Sequence, residues 1–203
     1  KESHVNSDLI VPVPDSGVPA AIGYAEEVKK NVELGIIRNH YVGRTFIEPT
    51  QQIRSLGVKL KHSINKTLIK NKTLVLIDDS LVRGTTSVKI IKMLYEFGAK
   101  EVHLRIASPP IKYPDYYGVD TPTEEELLAS KLDLEGMRKF INATTLQFLS
   151  IEGLYKSMGI EKRNSSYPQF TDHCFTGDYP VEPVDANDKN FKDAQLSFLS
   201  SKF

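Results

Sequence analysis

The chain has 203 residues, 40% of them hydrophobic, at a mean hydropathy of −0.30, which suffices for one α/β domain with a substantial core. Lysine plus arginine and aspartate plus glutamate number 26 each, so no net field draws nucleic acid or an anionic membrane, and any anion site must be local. No apolar run reaches the ~20 residues that span a bilayer, and the single Cys174 permits no internal disulfide and no cysteine-built metal centre. The opening residues 1–5 lack the apolar core of a signal peptide, and a cytoplasmic chain is expected.

In chain order, residues 8–14 predict a first strand whose prolines sit near its C-terminal end, where they disturb pairing least. Asp15 and Ser16 precede Val18, Ala21, Ile22, Ala25 and Val28 on one helical face, with Pro19 in the first turn, so Ser16 reads as the N-cap. Residues 35–38 predict a short strand. Residues 39–52 then place Tyr41, Gly43, Arg44, Thr45 and Pro49 in no clean period, which reads as a candidate mobile loop or a surface hairpin. Arg54, Lys59, Lys61, Lys66, Lys70 and Lys72 read as a solvated helical face.

Residues 73–77 are the apolar, β-branched run of a buried parallel strand, and the period changes at Asp78. Two carboxylates, Asp78 and Asp79, stand where that strand ends. Ser80, Val82, Arg83, Gly84, Thr85, Thr86 and Ser87 follow, and Val88, Ile90, Ile91, Leu94 and Phe97 then recur at helical spacing up to Gly98. Such a junction binds ligands in open α/β sheets, because the strand's carboxyl end meets a helix N-terminus that favours anions. Backbone N–H groups of residues 82–86 and three hydroxyls can wrap a phosphate, with Gly84 allowing close approach. Acceptor-only carboxylates want hydroxyl donors or a divalent cation beside it. A phosphorylated sugar meets all three demands.

Beyond this junction, residues 101–107 alternate as a strand, placing His103 and Arg105 on its more polar face with His103 structural. Residues 123–126 are expected to open a helix with acids in its first turn, residues 133–140 form another, and residues 144–149 a last core strand. Strands alternating with helices give an α/β fold with a central parallel sheet flanked by helices. Residues 182–203 form a polar tail, separate from a domain over 1–181.

Residues 75–87 (VLIDDSLVRGTTS) resemble the phosphoribosyl pyrophosphate (PRPP) signature of type I phosphoribosyltransferases, in the form used by glutamine PRPP amidotransferases. Residues 13–17, 38–47, 107–114 and 174–180 resemble that family in order and spacing, so the likeness runs from Asp8 to Val181. It implies a type I phosphoribosyltransferase fold with a flag-loop hairpin, and formation of 5-phosphoribosylamine and pyrophosphate from PRPP and ammonia, the first committed step of purine synthesis. Asp78 and Asp79 would hold the ribose hydroxyls and, with Ser16, a Mg²⁺ ion. Residues 82–86, supported by Ser80 and Ser87, would cradle the 5′-phosphate, while Arg38, Tyr41 and Arg44 close over pyrophosphate. A homo-oligomer and inhibition by purine nucleotides are implied as well. The alternatives are a transferase with a nucleobase acceptor, a non-catalytic PRPP- or nucleotide-sensing module, and an inactive fragment.

The sequence departs from the family at three places. The commoner Lys-Asn-Arg-Tyr of the flag loop reads Arg38, Asn39, His40, Tyr41. Where some members hold a four-iron cluster with four cysteines, the corresponding places read Asp115 and Thr171, leaving Cys174, so no iron–sulfur cluster is expected. Asp172, His173 and Cys174 are read as incidental neighbours. Family members also begin with a glutaminase domain, whereas Lys1 falls inside the end of a transferase-domain helix. An N-terminally truncated fold follows, with ammonia supplied directly or by a separate glutaminase chain.

Overall fold

A computed structural model describes residues 1–40, 62–119, 121, 123–166 and 168–181. In chain order these form β1 (Leu9–Pro12), α1 (Val18–Val28), β2 (Ile36–Arg38), β3 (His62–Ile64), α2 (Lys66–Ile69), β4 (Thr73–Asp78), α3 (Thr85–Glu96) and β5 (Glu101–Ile106). A 3-10 turn (Glu124–Glu126), α4 (Leu128–Lys131), α5 (Leu134–Ile141), β6 (Thr145–Phe148), α6 (Ile151–Ser157) and α7 (His173–Thr176) complete them.

The central sheet has the order β1-β4-β5-β6, all parallel, as the alternation of strand and helix requires. Its strands read as unbroken apolar runs because both faces are covered. Leu74 and Leu76 of β4 face a cluster with Val11, Ile90, Ile91, Leu94 and Leu104, while Val75 and Ile77 face Ile10, Ala21 and Ala25. Helix α1 thus seals one face and α3 the other, fixing β4 at the centre with its C-terminal carboxyls at the rim.

The polar face foreseen for β5 is in fact enclosed. His103 and Arg105 are both buried, His103 Nδ1 lying 2.9 Å from Thr145 Oγ1, and Arg105 donating to Ser3 O and Thr145 Oγ1 at 2.9 Å. The N-terminal segment and β6 supply acceptors that no sequence period reveals. Ser16 is not the N-cap of α1: Gly17 holds that place and makes no side-chain cap bond, because Ser16 turns toward the sheet's carboxyl edge. Glu124–Glu126 make a single 3-10 turn, and α-helix begins only at Leu128. Asp133 does cap α5, its Oδ1 accepting from Gly136 N at 2.7 Å.

Strands β2 and β3 form a separate antiparallel pair with Arg38 opposite His62. The flag-loop residues Tyr41, Arg44 and Thr45 lie between them, outside the described residues, as do the tail 182–203 and Arg54, Lys59 and Lys61 of the basic run. Lys66, Lys70 and Lys72 are exposed, in keeping with a solvated face. Among the described residues no helix is long and apolar enough to cross a membrane.

Candidate functional site

Chain reversals at the carboxyl ends of β1 and β4 build one cleft. Val13 N donates to Ile77 O at 2.8 Å, so the turn after β1 is stitched to the end of β4. Gly17 makes this approach feasible: a Cβ there would stand 2.4 Å from Ile77 O and 2.9 Å from Val13 O. Ser16 is thereby carried to the mouth of β4. On the other side, Gly84 adopts φ +73° immediately before α3, and a Cβ there would meet Leu128 Cδ2 at 2.8 Å and Phe140 Cε1 at 3.2 Å. The loop between is pinned by the buried Leu81 and by Leu128 N donating to Val82 O at 2.9 Å.

The resulting cleft encloses about 380 Å³. Ser16, Arg38, Asp78, Asp79, Ser80, Val82, Arg83, Gly84, Thr85, Thr86 and Ser87, all expected from the sequence, line it together. Tyr41 and Arg44 lie outside the described residues. Asp15 and His62 are lining residues that the sequence reading did not single out. Asp15 Oδ2 accepts from Arg38 Nη1 at 2.6 Å, joining the turn after β1 to the flag-loop base. Position 62 carried no motif, and its role in the wall follows from pairing opposite Arg38, a long-range contact invisible to local pattern.

The two acids differ in environment. Asp78 is 7% exposed, and burial, then the hydrogen bond and the charge of Asp79, push its carboxyl up to about 8. Burial raises Asp79 too, but its hydrogen bonds with Asp78, Ser16 and Ser80 outweigh this and hold it below the usual carboxylate range. Ser80 Oγ donates to Asp79 Oδ2 at 3.0 Å. Near neutral pH the adjacent pair therefore shares one proton, seated toward Asp78. A divalent cation fits this donor set: two carboxylates and the Ser16 hydroxyl, all hard oxygens, at a place where crowded negative charge must otherwise take up a proton.

The opposite wall has the chemistry to accept a phosphate. The first turn of the twelve-residue α3 presents its N–H groups beside the Thr85 and Thr86 hydroxyls, with Ser87 buried behind them. Arg83 adds positive charge at the rim, held by Glu126 Oε2 at 2.6 Å from Nη2 and 3.1 Å from Nε. The cleft can thus accept a phosphate at one end and a polyhydroxyl or metal-bound group at the other.

A family model for the phosphoribosyl transferase domain matches residues 2–108. The chain is 59% identical over 202 residues to an amidophosphoribosyltransferase of Rhizobium etli, covering 99% of this chain and 40% of that protein. It is 51% identical over 182 residues to the amidophosphoribosyltransferase of Bacillus subtilis, covering 90% and 38%. The solved glutamine PRPP amidotransferase from B. subtilis, complexed with ADP and GMP, superposes with a TM-score of 0.78 at 51% identity over 89% of this chain and 40% of that one. The chain spans about two fifths of the length of these relatives. The parallel sheet, the Gly- and hydroxyl-rich turn after β4 and these likenesses agree: the chain belongs to the phosphoribosyl transferase domain family.

Proposed function

We propose that this chain carries the phosphoribosyl-transfer half of an amidophosphoribosyltransferase, in which ammonia displaces pyrophosphate from the anomeric carbon of PRPP to give 5-phosphoribosylamine. The observation that carries this reading is the convergence of Asp78, Asp79 and Ser16 with the phosphate turn of residues 82–87 in one cleft. A 5-phosphorylated ribose spans those two ends. Its phosphate takes the N–H groups at the start of α3, and its vicinal hydroxyls donate to the carboxylates.

No side-chain nucleophile is required, because the anomeric carbon ionises readily and catalysis rests on holding the sugar and stabilising the leaving group. Asp78, Asp79 and Ser16 would hold Mg²⁺, which supplies charge neutralisation to the pyrophosphate oxygens. Arg38 leaves Asp15 to meet the leaving group, and Tyr41 and Arg44 close over it. Asp78 gives up its proton when ribose hydroxyls or the cation arrive. The nitrogen source, ammonia or glutamine handled by a glutaminase domain or chain, a homo-oligomeric assembly, feedback by purine nucleotides and a cytoplasmic location belong to the same proposal.

The test is Mg²⁺-dependent pyrophosphate release from PRPP, with ammonium compared with glutamine and Asp78→Asn as the control. Release with ammonium that Asp78→Asn lowers by about 100-fold supports the proposal. A folded chain that binds purine nucleotide tightly but releases no pyrophosphate with any nitrogen donor is a sensing module. Incorporation of a nucleobase in place of ammonia would reassign the acceptor.

A further inference from the structure

The second cluster of chemically capable side chains lies away from the cleft, where the chain after β5 meets α7. Asp115, from the loop that follows β5, and His173 and Cys174, from the first turn of α7, bring one ligand atom each within 4.8 Å of one another. Asp115 Oδ2 lies 2.7 Å from His173 Nε2 and 3.8 Å from Cys174 Sγ. Asp172, which sequence adjacency groups with His173 and Cys174, turns the other way to bond Arg163 and Tyr155. The three-dimensional set is therefore carboxylate, imidazole and thiol, brought together across 58 residues of chain.

We infer that Asp115, His173 and Cys174 form a mononuclear transition-metal site, with Zn²⁺ as the fitting ion and a water as fourth ligand. The donor set decides the metal class: one thiolate, one imidazole and one carboxylate suit a borderline ion and disfavour Mg²⁺, which prefers oxygen alone. The spacing is close to what is needed. Tetrahedral Zn²⁺ with bonds of about 2.0–2.3 Å sets its ligand atoms about 3.3–3.6 Å apart. The Asp115–Cys174 pair, at 3.8 Å, closes by roughly 0.2 Å and the Asp115–His173 pair opens by roughly 0.6 Å to admit the ion.

Surrounding contacts hold the ligands in place. Asp115 Oδ1 accepts from Tyr117 N at 2.7 Å and Val119 N at 3.1 Å, which anchors the carboxylate and turns Oδ2 toward His173 and Cys174. The buried His173 ring is clamped between Tyr117, edge-on at 5.1 Å, and Tyr179 at 5.1 Å. Lys112 N and Tyr113 N both donate to Cys174 O, which stitches the Asp115 loop to α7. His173 Nδ1 has no hydrogen-bond partner among the described residues, so the ring is oriented by packing and leaves Nε2 as the nitrogen directed at the cluster. Binding displaces the Sγ proton and requires the imidazole tautomer with its proton on Nδ1, which leaves a thiolate, a neutral imidazole and a carboxylate around the ion.

The test uses the full chain, stripped with chelator and then titrated with Zn²⁺ in excess Mg²⁺. One Zn²⁺ per chain is expected in the wild type, with affinity at least about 100-fold lower in Cys174→Ser and in His173→Gln. Substitution with Co²⁺ should give a thiolate charge-transfer band that Cys174→Ser abolishes while its circular dichroism stays that of the wild type. Asp78→Asn should retain the zinc, since its site is separate, so loss of pyrophosphate release and loss of zinc are independent results. No stoichiometric zinc in the wild type, or equal zinc in Cys174→Ser, overturns the assignment.

Discussion

Asp78 at the end of β4 and Asp172 before α7 are both almost fully buried, at 7% and 4% exposure, yet the protein treats them in opposite ways. Burial, and then the second carboxylate that Asp78 faces, hold a proton on it to about pH 8. Asp172 accepts from Arg163 Nε at 2.5 Å, Arg163 Nη2 at 3.0 Å, Tyr155 Oη at 2.8 Å and Thr176 Oγ1 at 3.2 Å. Burial raises it, but these bonds outweigh burial and hold it below the usual carboxylate range. A buried carboxylate surrounded by donors is a fastener for the fold, whereas one buried against a second carboxylate holds a proton in place of its charge.

The largest effect is expected where the fastener is cut. Asp172→Ala leaves the Arg163 guanidinium, 13% exposed, facing a vacated pocket, with Asp178 Oδ2 at 2.6 Å its remaining acidic partner among the described residues. A loss of about 3 kcal/mol in urea unfolding is expected. The cleft should respond in the other sense. Asp78→Asn is expected to lower PRPP turnover by about 100-fold, equivalent to ~2.7 kcal/mol of barrier, while urea unfolding shows equal or greater stability than wild type. A destabilised Asp78→Asn would mean that the cleft acids are structural after all.

The pH dependence separates the same two groups. Asp78 has a folded value near 8 against an ordinary 3.8, so between these the folded state holds a proton that the unfolded chain lacks. Stability of the metal-free chain therefore falls as pH rises from about 4 to 8, and Asp78→Asn should flatten that slope. Asp172 contributes above its ordinary value, and its contribution is lost as pH falls through its depressed folded value. Urea midpoints followed from the acid range, below the ordinary carboxylate value, up to about one unit above the raised Asp78 value test both signs.

A smaller effect is expected at the hinge of the phosphate turn. Gly84→Ala must hold a Cβ at φ +73° against Leu128 and Phe140, at a cost of about 1–2 kcal/mol. Because the same turn aims the N–H groups of α3, KM for PRPP should rise by more than the loss of stability alone explains. An unchanged KM would place the phosphate elsewhere.

These contrasts also show what the sequence could disclose. β4, α3 and the acids between them were legible because strand period, charge and helix period follow one another without interruption, and each is a local signal. The helix expected over residues 133–140 and β6 as the last strand were legible for the same reason. What escaped was long-range. Ser16 looked like a cap because Ser before a helix usually is one, and only the folded approach of β1 to β4 turns it toward Asp78. His62 and Asp15 in the cleft wall, and Asp115 beside His173, depend on pairings across 23 to 58 residues that no periodicity encodes.

The smallest effect is expected at an exposed counterpart of the Arg163–Asp172 pair. Arg83 and Glu126 repeat the arginine–carboxylate geometry of Arg163 and Asp172, with an Nη2–Oε2 distance of 2.6 Å, but their side chains are 50% and 51% exposed. Water already solvates both partners, so removing the charge of Glu126 strands nothing in a dry place. Glu126→Gln should therefore change urea stability by no more than about 0.5 kcal/mol, an effect that added salt diminishes. Arg83 would then be released toward the bound phosphate, and KM for PRPP should shift by less than about three-fold, since the N–H groups at the start of α3 remain in place. If Glu126→Gln instead cost as much as Asp172→Ala, burial would not be what distinguishes the two pairs, and the cleft rim would have to be regarded as part of the folding core.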